Sequence, residues 1–471
     1  MSKKERRVAR NRQKAQSTRL PFLRKAINTH DDDSVSNKAE NGENNKQAKS
    51  EFCYLPDTVM SIHGWLANGK WQNNLNLELG KKGLKSAPYD YRFKLWPWVG
   101  DRRVEKFQQW YASIINSRDH DLNLDNHYKR PSIMAHSLGT WILAKALLKY
   151  PEIKFDKIFL FGSIIPAEYD WFKLILNDQV KDVYNETTGK DKVASSSFLV
   201  TRNTKPSANH GFQQQSAFII NSHNPYFGHS SFQYASHFVD YIKNKLMGHP
   251  PHSLIIVQGG SINDRLIAQN YLAQGTEIDQ IVYNDKIYQA CPVSIIKLME
   301  WFEIENDIWT FMINTQINEV DGYINAIPVN KATYERFFSG ELQEDQIKAE
   351  DILNYQTCRE YYLLILSIAV QKSEKEGFIL HRGKRAELLI LAMVDKIEKY
   401  RLQGVLLRKM CAIAWTDMGS LLCRSIGMEK STVDNTGHPI YEIDLDNLNE
   451  DKIKETHPVC RWWYKKILNL K

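Results

Sequence analysis

Through the first half of the chain, short runs of consecutive apolar residues alternate with stretches whose apolar positions recur every three or four residues. Residues 58–62, 85–91, 132–135, 156–162, 179–186 and 217–221 read as strands. Residues 102–115 carry Val104, Phe107, Tyr111 and Ile114 on one helical stripe, and 138–150 carry Leu138, Ile142, Ala146 and Tyr150. Residues 231–246 read as a closing helix. Strands alternating with helices predict an α/β fold with a doubly wound, mostly parallel sheet covered on both faces. Ligands in such sheets sit beyond the carboxyl ends of the strands, where His63, Ser137 and the segment after Val183 fall.

Gly248-His-Pro-Pro-His252 interrupts the pattern and marks a boundary. A strand at 253–257 and a short helix at 262–273 follow. The second half then reads as strands at 308–317 and 320–328, a continuous apolar strand at 361–370 and a loop at 371–385. A helix at 386–401 has Ala386, Ile390, Met393, Ile397 and Tyr400 on one stripe and stops at Gly404. A strand at 405–414, a helix at 416–425 ended by Gly427 and a strand at 440–444 complete it. The expected organisation is a tail at 1–50, a first domain at 51–248, a linker at 249–275 and a second domain at 276–471.

Composition changes this picture little. A chain of 471 residues, 42% hydrophobic and 25% charged, is that of a globular protein with real cores. No apolar run approaches the roughly 20 residues of a membrane span, and the basic start lacks the apolar stretch of a secretory signal. The six cysteines are scattered with no C-x-x-C pair, which argues against a zinc or disulfide framework and for a reducing, cytoplasmic setting. No metal is expected. The net charge of +7 belongs to the tail: residues 1–25 hold ten Lys or Arg against one Glu, and the remainder is near balance. That tail cannot bury enough apolar area to order itself. It reads as a solvated arm, with contact to nucleic acid or an anionic surface as the sharper reading.

The chemistry concentrates at Arg130-Pro-Ser-Ile-Met-Ala-His-Ser-Leu-Gly-Thr140, a buried strand, a sharp turn and a helix. Such a turn lifts a serine hydroxyl off the sheet and aims helix N–H groups at any oxyanion formed beside it. Ala135 and Gly139 flank Ser137, so the pattern is G-x-S-x-G made one methyl heavier. Here the chain resembles the α/β-hydrolase family. The resemblance implies Ser137 as nucleophile, with an acid and then a histidine following in chain order. Asp191, in Val183-Tyr-Asn-Glu-Thr-Thr-Gly-Lys-Asp-Lys-Val193, is the expected acid, over Asp170, Asp178, Asp182 and Glu186. His229, in Tyr226-Phe-Gly-His-Ser230, is the expected base, over His223, His237 and His210. Backbone N–H groups of Leu138 and of Trp65 or Leu66, after His63-Gly64, would form the oxyanion site. The aromatic group Trp96, Trp98, Trp110 and Tyr111 reads as helix packing or a substrate pocket.

The second half resembles the GNAT acyltransferase family over residues 276–450. Gly322-Tyr-Ile-Asn-Ala-Ile-Pro328, Leu364-Ile-Leu-Ser-Ile-Ala-Val370, the helix after Lys384 and Gly419-Ser-Leu-Leu-Cys-Arg-Ser-Ile-Gly-Met428 carry the likeness. It implies acetyl-CoA as cofactor, its pyrophosphate held at a helix N-terminus. The aligned residues are Arg382, Gly383, Lys384, Arg385 and Ala386, with Lys384 in place of the first glycine. Cys423 stands where the family has its proton-donating tyrosine. The expected function is a serine hydrolase cleaving an ester, thioester or amide of a small-molecule or acylated substrate. It would be fused to a layer transferring an acyl group from CoA to an amine. The alternatives are a chain that is mainly an N-acetyltransferase, and a non-enzymatic ligand-binding or regulatory protein on both folds.

Overall fold

The computed structural model describes residues 58–64, 70–81, 83–91, 101–121, 130–195, 205–225, 228–230, 241–242, 244–246, 253–283, 293–315, 317–371, 381–448 and 450–468. In the first half these are β1 (Thr58–Ile62), α1 (Lys70–Gly80), β2 (Lys85–Tyr89), α2 (Asp101–Asp121), β3 (Ser132–His136), α3 (Leu138–Lys149), β4 (Phe155–Phe161), α4 (Trp171–Leu176), β5 (Val180–Thr187), two single turns α5 (Lys192–Ser195) and α6 (Ser207–His210), and β6 (Ile219–His223). The strands lie in the order β2-β1-β3-β4-β5-β6, every pairing parallel. All residues of β1, β3 and β4 are buried, because helices cover both faces. Of the expected closing helix, 231–240 lie outside the described residues, and 241–242 and 244–246 are helical.

The second half contains β7 (Leu254–Gln258), α7 (Arg265–Val282), α8 (Ile295–Ile304), β8 (Trp309–Asn314), β9 (Glu319–Val329), α9 (Lys331–Phe338), β10 (Glu360–Val370), α10 (Arg382–Leu402), β11 (Leu406–Ile413), α11 (Asp417–Ile426), β12 (Glu429–Val433), β13 (Pro439–Asp444), α12 (Glu450–Glu455) and α13 (Pro458–Leu468). Its strands lie in the order β12-β13-β11-β10-β9-β8-β7. All neighbours are antiparallel except β10 and β11, which pair in parallel from Glu360↔Leu406 to Ile365↔Ala412. Beyond Ile365 the two part, and β10 carries a bulge between Ile365 and Ser367.

Three sequence expectations change here. First, the strand expected at 253–257 is β7, which pairs with β8, Leu254 facing Asn314, but the short helix expected at 262–273 starts at Arg265 and runs on to Val282 as α7. Second, β12 was not foreseen, because all five of its residues are exposed and carry no apolar alternation. Third, Arg382–Arg385 are the first turn of α10 rather than the end of a loop.

The two sheets share one core. Phe172 of α4 meets Trp462 of α13 edge to face at 5.2 Å. Lys181 Nζ, on β5, donates to the Leu254 carbonyl at 2.9 Å. The N–H of Ala217 donates to Glu387 Oε1, on α10, at 2.8 Å. Each of these polar contacts satisfies a buried group that water cannot reach, so the join is specific as well as apolar. Among the described residues no helix is long and apolar enough to cross a membrane.

Candidate active site

Ser137 sits between the last residue of β3 and the first of α3, with φ 51° and ψ −122°. A residue with a side chain avoids positive φ, and holding one there costs about 1–3 kcal/mol. The surroundings fix the turn. The Ser137 N–H donates to the Phe161 carbonyl of β4 at 3.1 Å, and the Ser137 carbonyl accepts from Thr140 N at 2.9 Å and Thr140 Oγ1 at 2.6 Å. Gly139 is obligatory, since a Cβ there would stand 2.7 Å from the His63 carbonyl oxygen and 2.8 Å from that of Ile62. Ala135 fits the heavier pattern because its methyl is wholly buried in the core.

Two loops bring the partners. His229 Nε2 is 2.9 Å from Ser137 Oγ, and His229 Nδ1 is 2.7 Å from Asp191 Oδ2. Asp191, 1% exposed, follows β5 and stands just before α5, whose Ala194 N–H donates to its Oδ1 at 2.8 Å. Asn209 clamps the same loop, accepting from Asp191 N at 2.7 Å and donating to the Asp191 carbonyl at 2.9 Å. Burial pushes the Asp191 carboxyl up, but the hydrogen bonds from His229 and Ala194 outweigh it and hold the group below the usual carboxylate value. An ionised Asp191 makes Nδ1 the protonated nitrogen of His229 and leaves Nε2 to accept from the serine hydroxyl.

Glycines make room for this arrangement. Gly162, at the end of β4 with φ 51°, would put a Cβ 2.8 Å from His229 Nδ1. Gly64 would put one 2.6 Å from Ser137 Cβ, so the backbone after β1 passes directly against the serine. Tyr91 stacks on His63 at 4.3 Å and donates its hydroxyl to the His63 carbonyl at 2.8 Å, which fixes that passage. Leu138 opens α3 beside Ser137 and is buried. Trp65 and Leu66, expected as the other oxyanion donors, lie outside the described residues, as do Trp96, Trp98 and His237. Trp110 packs on Tyr89 at 4.9 Å, and Tyr111 on Phe155 at 5.4 Å.

The rival residues have other work. Asp170 caps α4 and accepts from Gln214. Asp178 holds Arg130 and Lys181. Asp182 faces Lys384. Glu186 lies within β5, where burial pushes its carboxyl up to about 7. His223 contacts Thr187, and His210 is exposed at the end of α6. Gly162, Asn209 and His136 were not anticipated as site residues. Gly162, directly after an apolar strand, offered a weak signal, and Asn209 none.

In the first turn of α10, the expected acyl-CoA cradle, several groups already have partners within the protein. His381 caps the helix: its Nδ1 accepts from Gly383 N at 3.2 Å, while its carbonyl takes the first intrahelical bonds, from Lys384 N at 2.9 Å and Arg385 N at 3.1 Å. Arg385 is 1% exposed and pairs with Asp321 at 2.8 Å, so it cannot turn to a phosphate. Lys384 faces Asp182 at 3.7 Å and lies over the Phe218 ring, both on the first half. Arg382 is part-buried at the helix start, beside Gly383 and Ala386. Cys423 is buried on α11, where burial pushes its thiol up to about 12, and it packs among apolar side chains of the core.

No protein-family model and no curated protein matches the chain. Solved structures are similar at low scores. An uncharacterized protein from Bacillus cereus ATCC 10987 is 14% identical with a TM-score of 0.31, covering 45% of this chain and 62% of its own length. A predicted CIB-like hydrolase from Thermoplasma acidophilum is 16% identical with a TM-score of 0.26, covering 40% of this chain and 86% of its own. A mosquito arylalkylamine N-acetyltransferase like 5b is 13% identical with a TM-score of 0.24, covering 41% of this chain and 100% of its own. The neighbours thus include α/β hydrolases and acetyltransferases. The fold is α/β in both halves, a parallel sheet followed by a mixed one, and that rests on the strand order itself.

Proposed function

We propose that the chain is a serine hydrolase that cleaves an ester, thioester or amide through an acyl-enzyme on Ser137. The observation that carries this is the unbroken hydrogen-bonded line from Ser137 Oγ through both nitrogens of His229 to Asp191. In this reading His229 takes the hydroxyl proton as Oγ attacks the carbonyl carbon, then delivers it to the leaving group. Asp191 holds the imidazole tautomer and balances the imidazolium. The Leu138 N–H, at the positive end of α3, meets the oxyanion, with the backbone after Gly64 as the second donor. Water then enters by the same base and releases the acid.

The acyltransferase alternative is weaker, since the residues at the start of α10 are engaged with one another and with the first half. The hydrolase reading is tested with p-nitrophenyl acetate and butyrate. Release of nitrophenolate by the wild type that vanishes in Ser137→Ala supports it. Equal rates in both proteins would refute it.

A further inference from the structure

A polar cavity of about 640 Å³ opens in the second half, where β7 ends and β8, β10 and β11 begin. It lies at the opposite end of the sheet from the place where β10 and β11 part. That volume falls in the range of about 300–1,000 Å³ in which small molecules are held. Among the described residues its lining includes no aliphatic apolar side chain, so it offers nothing to an acyl chain or a lipid. Two buried carboxylates form its inner wall. Asp307 Oδ1 accepts from the Gly260 N–H at 2.8 Å, and Oδ2 from the Tyr400 hydroxyl. Glu305 Oε1 accepts from Asp307 N at 3.1 Å, and Oε2 from Tyr355 N at 3.0 Å. Both groups are thus fixed in place, and each oxygen keeps a lone pair to spare. Around them stand the amides of Asn306, Gln356 and Gln403, which make no side-chain hydrogen bond among the described residues.

We infer that this cavity binds a small neutral polyhydroxyl molecule, a mono- or disaccharide, through the amides of Asn306, Gln356 and Gln403 and the spare lone pairs of Glu305 and Asp307. A hydroxyl both donates and accepts, and so does a carboxamide, while a carboxylate accepts only. Such a lining satisfies a ring of hydroxyls in either direction. Charge favours a neutral ligand. The two acids are balanced by Lys396, whose Nζ donates to the Asp307 carbonyl at 2.6 Å, and by the exposed Lys399. An anion would meet the two carboxylates, and a cation the two lysines. A nucleobase needs a bare aromatic face. Here Tyr355 stacks on Tyr400 at 4.3 Å, and Lys399 Nζ lies over the same ring at 5.7 Å. Nothing in this site draws on Ser137 or on an acyl donor.

The test is saturation-transfer difference NMR on the full chain with glucose, galactose, mannose and maltose, and with glucosamine and glucose 6-phosphate as charged counterparts. Saturable binding of at least one neutral sugar, with neither charged sugar bound more tightly, is the expected result. Its Kd should rise about tenfold or more in the double variant Gln356→Ala, Gln403→Ala, as the loss of two hydrogen-bonding groups requires. Both residues are exposed, so that variant should keep the wild-type melting temperature. Asn306→Ala, on the other side of the two acids in sequence from Gln356, is the independent second variant and should weaken binding in the same direction. Binding of none of the four neutral sugars, an unchanged Kd in the double variant, or tighter binding of glucosamine or glucose 6-phosphate would overturn the inference. None of these outcomes bears on the labelling of Ser137, so the hydrolase reading stands or falls separately.

Discussion

His136 Nε2 lies 2.9 Å from the carbonyl oxygen of His229. A carbonyl only accepts, so the proton sits on Nε2 and His136 donates. The residue next to Ser137 thereby holds the loop that carries His229, with the two imidazoles 4.9 Å apart. His136 is a positioning residue in this arrangement. Replacing it with Phe keeps the packing against Trp71 and removes the donor. The expected effect is a fall in kcat of about 10- to 100-fold with KM little changed, as for a reacting group displaced by a fraction of an ångström. A KM effect of the same size would point to a role in substrate binding instead.

The contribution of two buried histidines to stability should fall in mild acid. Burial, followed by the His229 charge, pushes His136 down to about 3, and burial pushes His457 down to about 4. Both are neutral when folded and titrate near 6.5 when unfolded, so the unfolded chain binds more protons between those values. The stabilisation is complete above pH 6.5 and is lost as the pH falls toward 3–4. The raised carboxyls of Glu186 and Glu387 act in the opposite direction over the same range, so the histidine contribution is read as a difference between proteins. On going from pH 7 to pH 5 in urea unfolding, the stability of His136→Phe should change more favourably than that of the wild type by on the order of 2 kcal/mol.

Gly162 makes room for His229. Gly162→Ala forces a Cβ into a backbone with φ 51° and to within 2.8 Å of His229 Nδ1. Ester hydrolysis should drop at least 100-fold, with a stability loss of about 1–3 kcal/mol. A variant retaining wild-type turnover would mean that His229 does not act from this position.

The contact between the two halves should be measurable. Glu387 is 3% exposed, accepts from the Ala217 N–H and sits 3.7 Å from His457. Burial pushes its carboxyl up to about 7. Glu387→Leu leaves that part-buried N–H without its acceptor, at a cost of about 1 kcal/mol. Amide exchange at 216–218 should quicken while exchange in β3 and β4 stays slow.

Much of this architecture was legible in the chain because burial writes itself into composition. β1, β3 and β4 are buried on both faces, so their residues form unbroken apolar runs, and β10 repeats the pattern in the second half. The elbow was legible because a serine at positive φ needs small neighbours. Asp191 and His229 could be nominated from chain order, but their meeting depends on two loops whose ends are set by Asn209, Gly162 and His136. Those partners lie far apart in sequence. β12 left no trace, since an exposed edge strand has no apolar face to display. The start of α10 misled for a related reason. A basic, glycine-containing stretch reads as a phosphate site until its partners Asp321 and Asp182, brought in from elsewhere in the fold, are seen to hold it.

The most direct measurement is the intact mass of the chain during reaction with a fluorophosphonate. One adduct, mapped to Ser137, should form on the wild type, none on Ser137→Ala, and on His229→Ala about 1000-fold more slowly. An adduct on Ser137→Ala, or undiminished labelling of His229→Ala, would contradict a serine activated by that histidine.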